Sequence, residues 1–450
     1  MNQLPCVLPC GHPGAVCACG GRDGFARTDG CKDKGNPEGP VPHVVVLSSL
    51  FPSTAQPGSG LFVRERAFRL GARLSLAVVS PQPWFPFQGL LRSLRPGARP
   101  GAPVYAQQRG FDVWSPRFLS LPLLLRRLDG LAMAIAAWPR MRTLHRAGKM
   151  DVIDAHFGYP DGYAAVLLGR WLRVPVTITL RGTEERHARD PVLGPRLAWA
   201  LKRADRVFTV SESLRQVALS MGVDPSRTRV VGNGVDIAQF APMPKAASRF
   251  ALRLPASAPV LIGVGGLVER KGFHRVMQAL PELRREFPGL QYLVIGGASP
   301  EGDWTAQLHR LSQELGLEDC VRFTGPLLPD ELGRYLSAAD VFVLATRNEG
   351  WANVFLEAMA CGLPVVTTNV GGNAEVVCDA ELGVVVPFGD ADALLRALRE
   401  ALREPWDRSA IRRYAEANTW DRRIDLLEQE FNSLARRCDP LDSNLSRAKS

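Results

Sequence analysis

Blocks of apolar residues alternate along the chain with amphipathic stretches. Continuous apolar runs that end at small polar residues are typical of parallel strands buried on both faces. In the first half, such runs occur at HVVVLSSLFP (43–52), LSLAVVSP (74–81), DVIDAHF (151–157), VPVTITLRG (174–182), DRVFTVS (205–211) and TRVVGNG (228–234). The stretches at 162–172 and 212–222 have a helical period. This alternation predicts an α/β domain with a parallel sheet.

The same pattern begins again after a proline-rich stretch. Residues 237–259 contain four prolines, lack a clear period and predict a linker. Six further runs follow at APVLIGVGGL (258–267), LQYLVIGGA (290–298), VRFTG (321–325), ADVFVLAT (339–346), LPVVTTN (363–369) and GVVVPF (383–388). We therefore predict two doubly wound domains. Their ligand site should lie in the cleft between them, at the carboxyl ends of the strands.

The predicted boundaries divide the chain into five parts. Residues 42–237 are expected to form a first Rossmann-like domain and residues 238–405 a second. Residues 406–435 are expected to form amphipathic helices that cross back onto the first domain, and 436–450 an unstructured tail. Residues 1–41 predict a disordered or spurious extension. A zinc site is the alternative there, because five of the nine cysteines and His12 lie in it, although their spacing matches no familiar motif.

Charge is distributed unevenly along the chain. The net charge is +10, but residues 41–240 carry 27 Lys/Arg against 13 Asp/Glu, whereas residues 241–450 carry 24 against 28. A basic first half indicates an anionic partner, such as nucleic acid, a membrane surface or a phosphorylated substrate. No recognisable nucleic-acid reader module is present, so we expect no nucleic acid. The start of the chain lacks the features of a signal peptide, and we expect a cytoplasmic protein.

Two basic stretches of the first half favour an anionic membrane interface. Residues 81–100 place Trp84, Phe85 and Phe87 beside Arg92, Arg95 and Arg99. Residues 118–149 mix apolar residues with Arg126, Arg127, Arg140, Arg142, Arg146 and Lys149. Aromatic and cationic side chains together suit the headgroup region of an anionic bilayer. The second stretch could equally be a core helix with a solvated basic face.

The segment RNEGWANVFLEAMACGLPVV (347–366) carries the first candidate chemistry. It follows a buried strand, so Glu349 should lie in the loop over the cleft. A helix is expected to begin near Asn353, which could cap it, and to end at Gly362. Backbone N–H groups at the start of that helix would form an anion site, and Glu357, one turn inside, could accept hydrogen bonds from sugar hydroxyls. Alternatively, both glutamates are solvated charges.

A second segment, VGGLVERKGFHRVMQAL (264–280), has a glycine turn after a strand and Lys271 just before a helix. A lysine there could neutralise a diphosphate, or it could be an ordinary surface lysine. The second domain thus has two strand-to-helix turns that could bind phosphate. Their occurrence together favours a ligand-binding role for Lys271 over an ordinary surface position.

Several motifs together resemble the family-4 retaining glycosyltransferases, which have the GT-B fold. The stretch at 349–377 resembles the Glu-x7-Glu signature, and VVGNGVDIAQF (230–240) resembles the interdomain segment. Residues 321–346 resemble the approach to the signature. Residues 151–184 resemble the first-domain segment that ends in HG[ST]D. The similarity spans about residues 42–435 and is specific, because the motifs occur in the family's order.

The resemblance implies that residues 42–237 bind the acceptor and residues 238–405 the nucleotide-sugar, and it implies roles for individual residues. Glu349 would contact the hydroxyls of the donor sugar, Glu357 the ribose, and Lys271 the diphosphate of a UDP- or GDP-sugar. The donor site would also include Gly265, Gly266, Gly350, Trp351, Ala352 and Asn353. Gly58 and Gly60 would lie near the phosphates or the acceptor. The expected acceptor is a lipid-linked glycan or polysaccharide at the inner face of the cytoplasmic membrane, in exopolysaccharide, capsule or lipopolysaccharide synthesis.

This chain departs from the family pattern at two positions. Gly266 stands where the family has a diphosphate-binding arginine, and Arg181 where it has a histidine that contacts the sugar. One hypothesis is that Arg181 crosses the cleft and restores the lost charge as a catalytic residue. The alternative is that it binds the acceptor, Glu184 or Glu185.

Three questions stay open at this stage. His156 could face the cleft or be a satisfied core histidine. Asp390 in GDADA is expected to cap a helix rather than bind a metal, and we expect no metal or other cofactor. A non-catalytic nucleotide-sugar-binding protein, or an epimerase or phosphorylase of the same fold, is the alternative to a glycosyltransferase.

Overall fold

The computed structural model of the protein describes residues 41–56, 58–85, 102–120, 126–299 and 301–436. The predicted extension, apart from residue 41, lies outside these residues, as does the predicted tail apart from residue 436. The same holds for Phe87, Arg92, Arg95 and Arg99 of the first basic stretch.

Within the described residues, the first half of the chain folds around an eight-stranded sheet of order β10-β9-β8-β7-β1-β2-β5-β4, and β3 and β6 form a separate parallel pair. The strands are β1 (His43–Leu47), β2 (Ser75–Val79), β3 (Gln82–Trp84), β4 (Tyr105–Gln108), β5 (Phe111–Trp114), β6 (Arg117–Leu119), β7 (Val152–His156), β8 (Val176–Leu180), β9 (Arg206–Thr209) and β10 (Thr228–Val230). Neighbouring strands of the large sheet are parallel except β4 and β5.

The sequence did not predict the β4–β5 hairpin. Its two turn residues, Arg109 and Gly110, both have positive φ, at 48° and 86°. Such turns match the twist of a hairpin and usually contain Asn-Gly or Asp-Gly. Because arginine occupies the first turn position, the sequence lacks the Asn-Gly or Asp-Gly pair that would have indicated a hairpin.

The second half of the chain forms a fully parallel sheet. Its strands are β11 (Val260–Val264), β12 (Gln291–Ile295), β13 (Val321–Gly325), β14 (Val341–Leu344), β15 (Val365–Thr368) and β16 (Gly383–Val386). Their order is β13-β12-β11-β14-β15-β16, with a change of direction between β11 and β14. Loops after two such strands diverge and leave a crevice for a ligand. The predicted fold of two doubly wound domains is confirmed.

Helices pack against both sheets through their apolar faces. In the first half they are α1 (Leu61–Gly71), α2 (Asp129–Arg146), α3 (Tyr163–Leu172), α4 (Glu184–Arg189), α5 (Gly194–Arg203) and α6 (Glu212–Ser220). In the second half they are α7 (Lys245–Ala251), α8 (Phe273–Glu286), α9 (Thr305–Glu314), α10 (Pro329–Ala338), α11 (Asn353–Ala360), α12 (Asn373–Val376), α13 (Ala391–Arg403), α14 (Arg408–Glu416) and α15 (Trp420–Arg436). The stretch expected to be a linker therefore contains α7.

The last two helices pack against different domains. Ile424, Leu427, Phe431 and Leu434 of α15 are buried against residues of the first sheet and α1. Helix α14 instead packs on α11, where Arg412 Nη1 donates to the carbonyl of Ala360 at 2.8 Å. The chain crosses back between them, at a bridge between Val235 and Thr419. Of the helices at 406–435, α15 lies on the first domain and α14 on the second.

Candidate active site

Loops from the two sheets touch directly at the carboxyl ends of their strands. Gly182, after β8, and Gly350, after β14, form the contact. A Cβ atom on Gly350 would lie 2.2 Å from the carbonyl oxygen of Arg181, so only glycine fits there. Gly182 has a φ of 127°, which also favours glycine. A cavity of about 130 Å³ remains beside this contact, and its lining includes Glu349.

Lys271 and Glu349 meet at the switch point of the second sheet. The Lys271 Nζ atom lies 2.5 Å from Glu349 Oε2, and the two side chains are only 14% and 13% exposed. Arg270 Nη1 lies 3.4 Å from the same oxygen. Arg270 also binds Glu301 through two hydrogen bonds of 2.5 and 2.6 Å. Two cations and two carboxylates thus share this edge of the crevice.

Arg270 was not among the residues that the sequence predicted for the site. Its position directly before Lys271, in the turn that follows β11, was the available signal. Local sequence could not show that it reaches Glu349, because the two residues lie on loops from different strands.

Glu357 lies within α11 and has no salt bridge. Its carboxylate accepts no hydrogen bond from any residue of the described ranges, although the residue is only partly exposed. Desolvation raises the pKa of this carboxyl to about 7. A carboxylate without a partner, on the helix that follows the Glu349 loop, can bind a ligand hydroxyl.

The helix that carries Glu357 begins at Asn353, as predicted, but Asn353 does not cap it. Ala352 occupies the cap position and makes no side-chain hydrogen bond to the helix. Asn353 instead accepts a hydrogen bond from Asn233 of the interdomain segment, at 2.7 Å. Trp351 is also turned toward that segment, since a Cβ on Gly232 would lie 2.9 Å from its ring. Trp351 and Ala352 are both buried, and the Trp351 ring packs against the interdomain segment.

Position 266 of the glycine turn after β11 has no room for a longer side chain in its present conformation. A Cβ on Gly266 would lie 2.8 Å from the Cβ of Ser299, which follows β12. Gly265 faces the aliphatic part of Lys271, where a Cβ would be 3.5 Å from Cε. Ser299 therefore occupies the first part of the space that the family's arginine would need.

Among the described residues, the side chain of Arg181 forms no hydrogen bond or ion pair with Glu184 or Glu185, and a role toward the acceptor stays a prediction. Its guanidinium is buried, with Nη1 donating to Asn233 Oδ1 at 2.7 Å and Nη2 lying 2.9 Å from His156 Nδ1. Glu184 contacts only its backbone, accepting from the N–H groups of Arg181 and Gly182. These two contacts hold the guanidinium beside Asn233 and His156 rather than beside Gly266, while its Nε is buried without a hydrogen-bond partner in the described part of the chain.

His156 is a core histidine with polar neighbours. It is 0% exposed, and its Nε2 lies 3.2 Å from Asp154 Oδ2. Burial and the positive charge of Arg181 lower its pKa to about 3, so the ring is neutral. The sequence left open whether His156 faces the cleft or lies in the core, and the structure favours the core position.

The loop after β1 contributes Gly58 and Gly60. Gly60 has a φ of 74°, and a Cβ there would lie 2.4 Å from the carbonyl of Leu50, so the turn into α1 requires glycine. Gly58 has open space around its Cα. The side chain of Phe62, just inside α1, packs against the Arg181 guanidinium, with 5.2 Å between Arg181 Cζ and the centroid of the ring. This loop therefore lies at the same edge as Arg181.

Asp390 caps α13, as predicted, by accepting a hydrogen bond from the N–H of Ala393 at 2.8 Å. Among the described residues, no group of three or more His, Cys, Asp or Glu side chains is arranged to hold a metal ion.

Comparison with known proteins agrees with this architecture. Residues 244–418 match the family of glycosyl transferases group 1, and residues 96–239 match Glycosyltransferase Family 4. The chain is 32% identical to a D-inositol 3-phosphate glycosyltransferase of Geodermatophilus obscurus over 318 residues, which cover 67% of this chain and 70% of the relative. It is 30% identical to the protein of the same name from Corynebacterium urealyticum over 398 residues, covering 84% and 91% of the two chains.

A solved structure of Anabaena HepE in complex with UDP and glucose superimposes with a TM-score of 0.67 at 20% identity, covering 87% of this chain and all of that one. This likeness supports the two-domain fold. The relatives favour an enzyme over the non-catalytic binding protein that the sequence left open. The chain therefore belongs to the group 1, family 4 glycosyltransferases, and it is a glycosyltransferase of the GT-B fold.

Proposed function

We propose that the protein transfers a hexose, with retention of configuration, from a UDP- or GDP-sugar to a lipid-linked or polysaccharide acceptor in cell-surface glycan synthesis. The observation that carries the donor assignment is the carboxylate of Glu357, which has no partner among the described side chains. A carboxylate free to accept hydrogen bonds beside a crevice suits the two vicinal hydroxyls of a ribose.

Lys271 and Glu349 then serve the other end of the donor. The ammonium group of Lys271 binds the diphosphate, and Glu349 accepts hydrogen bonds from the hydroxyls of the sugar. Both groups already lie together, 2.5 Å apart, so a small displacement separates them to either side of a bound ligand. Backbone N–H groups of Gly350 to Asn353 add donors for phosphate and sugar oxygens.

Departure of the nucleoside diphosphate requires stabilisation of the negative charge that develops on it. Preorganised cations and N–H groups supply this stabilisation without a metal ion. The acceptor hydroxyl attacks from the face that the diphosphate leaves, and a diphosphate oxygen takes its proton. Retention of configuration in this proposal rests on family membership.

Arg270 is the second cation that we assign to the diphosphate. Gly266 leaves the family's position without charge, and Ser299 fills the adjacent space. Arg270 Nη1 already lies 3.4 Å from Glu349 Oε2, in the same crevice as Lys271. Its guanidinium can bind two phosphate oxygens at once. To bind the diphosphate, the Arg270 guanidinium would give up its two hydrogen bonds with Glu301.

The first domain offers a surface for a membrane-bound acceptor. Helix α2 buries Met133, Ala137 and Met141 in the core, as the alternative of a core helix requires. Leu131 and Ile135 of this helix, with Leu128 just before it, form an exposed apolar stripe, at 40%, 60% and 43% exposure. Exposed arginines lie at both ends of this helix, including Arg127 and Arg146. Apolar residues flanked by cations favour adsorption to an anionic bilayer.

Not every arginine of this stretch is available to lipid. Arg140 lies over the ring of Trp114, with 4.6 Å between Cζ and the ring centroid. No helix among the described residues combines the length and the apolar character needed to cross a bilayer.

The experiment that tests the proposed reaction is slow donor hydrolysis. Purified protein is incubated with UDP- and GDP-hexoses, and release of the nucleoside diphosphate is followed. We expect turnover of one donor class, at least tenfold slower in E357A. Equal rates in the wild type and E357A would contradict the assigned donor site.

A further inference from the structure

A continuous series of polar contacts runs from the core of the first domain to the first residue of α11. Asp154 Oδ2 lies 3.2 Å from His156 Nε2, and His156 Nδ1 lies 2.9 Å from Arg181 Nη2. Arg181 Nη1 donates to Asn233 Oδ1 at 2.7 Å, and Asn233 Nδ2 donates to Asn353 Oδ1 at 2.7 Å. Arg181 is 9% and Asn233 4% exposed, so this series is shielded from water at its centre.

The direction of every hydrogen bond from Arg181 onward is determined by chemistry. A guanidinium only donates, so Asn233 must present its carbonyl oxygen to Arg181. The amide N–H group of Asn233 then faces Asn353, which must answer with its own carbonyl oxygen. A histidine at position 181 could donate or accept and would leave these two amides free to rotate.

Asn353 is left with its two amide hydrogens. No residue in the described part of the chain accepts them. Asn353 directly follows the loop that contains Glu349 and Gly350, and it lies on the same helix as Glu357. An N–H group at this position can bind an oxygen of a phosphoryl group or a sugar, whereas a carbonyl oxygen there would repel a phosphate.

We propose that Arg181 is a positioning residue that, through Asn233, fixes the amide of Asn353 as a hydrogen-bond donor to the nucleotide-sugar. This inference rests on the proposed function, since it takes the donor sugar-diphosphate as the ligand. In this proposal Arg181 has no direct contact with the ligand, because the residue is 9% exposed and each of its terminal nitrogens already has a partner within the protein.

The isosteric variant N233D tests this directly. The introduced carboxylate still accepts from Arg181, but its second oxygen faces Asn353 and forces that amide to rotate. The carbonyl oxygen of Asn353 then takes the place of the N–H group. We expect the Kd for the UDP- or GDP-sugar to rise about tenfold, the change that corresponds to loss of one hydrogen bond to a charged group. The melting temperature should not fall, because the introduced carboxylate forms an ion pair with Arg181.

R181M and N353D extend the test. If Arg181 acts only through Asn353, the double variant R181M/N353D binds donor no more weakly than N353D alone. N418D is the matched control, because Asn418 also accepts from an arginine, Arg423, at 2.8 Å, and has no contact with Asn233 or Asn353. We expect its donor affinity to equal that of the wild type.

The outcomes are distinguishable. The positioning role alone would be overturned if N233D bound the donor as tightly as the wild type. It would also be overturned if the rise in Kd of R181M/N353D equalled the product of the rises in the two single variants. Failure of the wild type to bind any nucleotide-sugar would overturn the proposed function, and this inference with it.

Discussion

The ammonium group of Lys271 lies 2.5 Å from the carboxylate of Glu349, although the two residues follow different strands, β11 and β14. Both side chains are largely shielded from solvent, so screening by water is weaker than at a surface pair. In the proposed reaction these groups bind different parts of one donor. Donor binding must therefore replace a contact within the protein by two contacts with the ligand.

This competition predicts opposite effects at the two residues. In E349Q, Lys271 loses its anionic partner, so we expect affinity for UDP or GDP alone to rise several-fold, to about tenfold. In K271M the affinity should fall by a similar factor. Calorimetric titration with the free diphosphates measures both. Weaker nucleotide binding by E349Q would contradict an exchange of the ion pair.

Turnover should fall in E349Q even though nucleotide binding improves. The variant loses the charged acceptor for the sugar hydroxyls, and removal of one preorganised electrostatic contact lowers kcat by about 10²-fold. Hydrolysis rates at saturating donor provide the measurement. Normal turnover would show that Glu349 only restrains Lys271.

Glu357 predicts a pH dependence of donor binding. Its pKa is raised to about 7 by desolvation, so the carboxyl is protonated at pH 6 and charged at pH 8. The charged form accepts stronger hydrogen bonds from ribose hydroxyls. Donor affinity should therefore increase as the pH rises through about 7, and E357Q should remove this dependence. An unchanged pH profile in E357Q would assign the titration to another group.

The same shift predicts the opposite trend for stability. The folded protein binds this proton more tightly than the unfolded chain, whose carboxyl has a pKa of 4.5. The contribution of Glu357 to stability is thus present below pH 4.5 and is lost as the pH rises through about 7. Denaturant unfolding of the wild type and E357Q between pH 5 and 8 should show this difference.

Gly266 and Ser299 predict that restoring the family's arginine will fail by itself. Since a Cβ at position 266 would lie 2.8 Å from Ser299 Cβ, G266R should displace this loop and weaken donor binding. The double variant G266R/S299G removes the obstructing atom and should bind donor at least as well as the wild type. Equal donor affinity in G266R and the double variant would show that Ser299 is not the obstacle.

The contacts of Glu375 with the other domain predict that this residue stabilises the folded protein. This residue of α12 accepts hydrogen bonds from the backbone N–H groups of Glu212 and Ser213, at 2.6 and 3.0 Å, at the start of α6 in the other domain. E375A leaves these donors without a partner and should destabilise the protein by about 1–3 kcal/mol. Denaturant unfolding measures the loss, and E314A, at an exposed position of α9, is the control. If E375A and E314A lowered the free energy of unfolding equally, the interdomain hydrogen bonds of Glu375 would make no particular contribution to stability.

The exposed stripe on α2 predicts membrane adsorption that depends on apolar residues. L131E/I135E should reduce sedimentation with anionic vesicles, because the new charges oppose insertion among acidic lipids. L328E, which changes a leucine 68% exposed in the second domain, is the matched control. Donor hydrolysis should be unchanged in both. Undiminished sedimentation of L131E/I135E would place the contact elsewhere.

Much of the fold could be predicted because its signals are local. Each of the twelve apolar runs contains a strand, since burial on both faces requires unbroken apolar sequence. The cap at Asp390 follows from the preference of a single residue near a helix start.

The contacts of the site could not be predicted in the same way. Asn353 has the chemistry of a helix cap, but a partner 120 positions away takes its oxygen. Arg181 was expected at the diphosphate, at the acceptor, or on Glu184 or Glu185, and in the structure its guanidinium contacts Asn233 and His156. These choices depend on how the two domains meet, and no local pattern encodes that geometry.

The most direct test of the account is thermal stabilisation by nucleotide-sugars. Wild-type protein and E357A are titrated with UDP- and GDP-hexoses, and the melting temperature is followed. A ligand that binds only the folded state raises the melting temperature with its concentration. We predict that one nucleotide class stabilises the wild type and that E357A loses most of this shift. Stabilisation of E357A equal to that of the wild type, or of neither protein by any donor, would contradict the assignment of this crevice as the donor site.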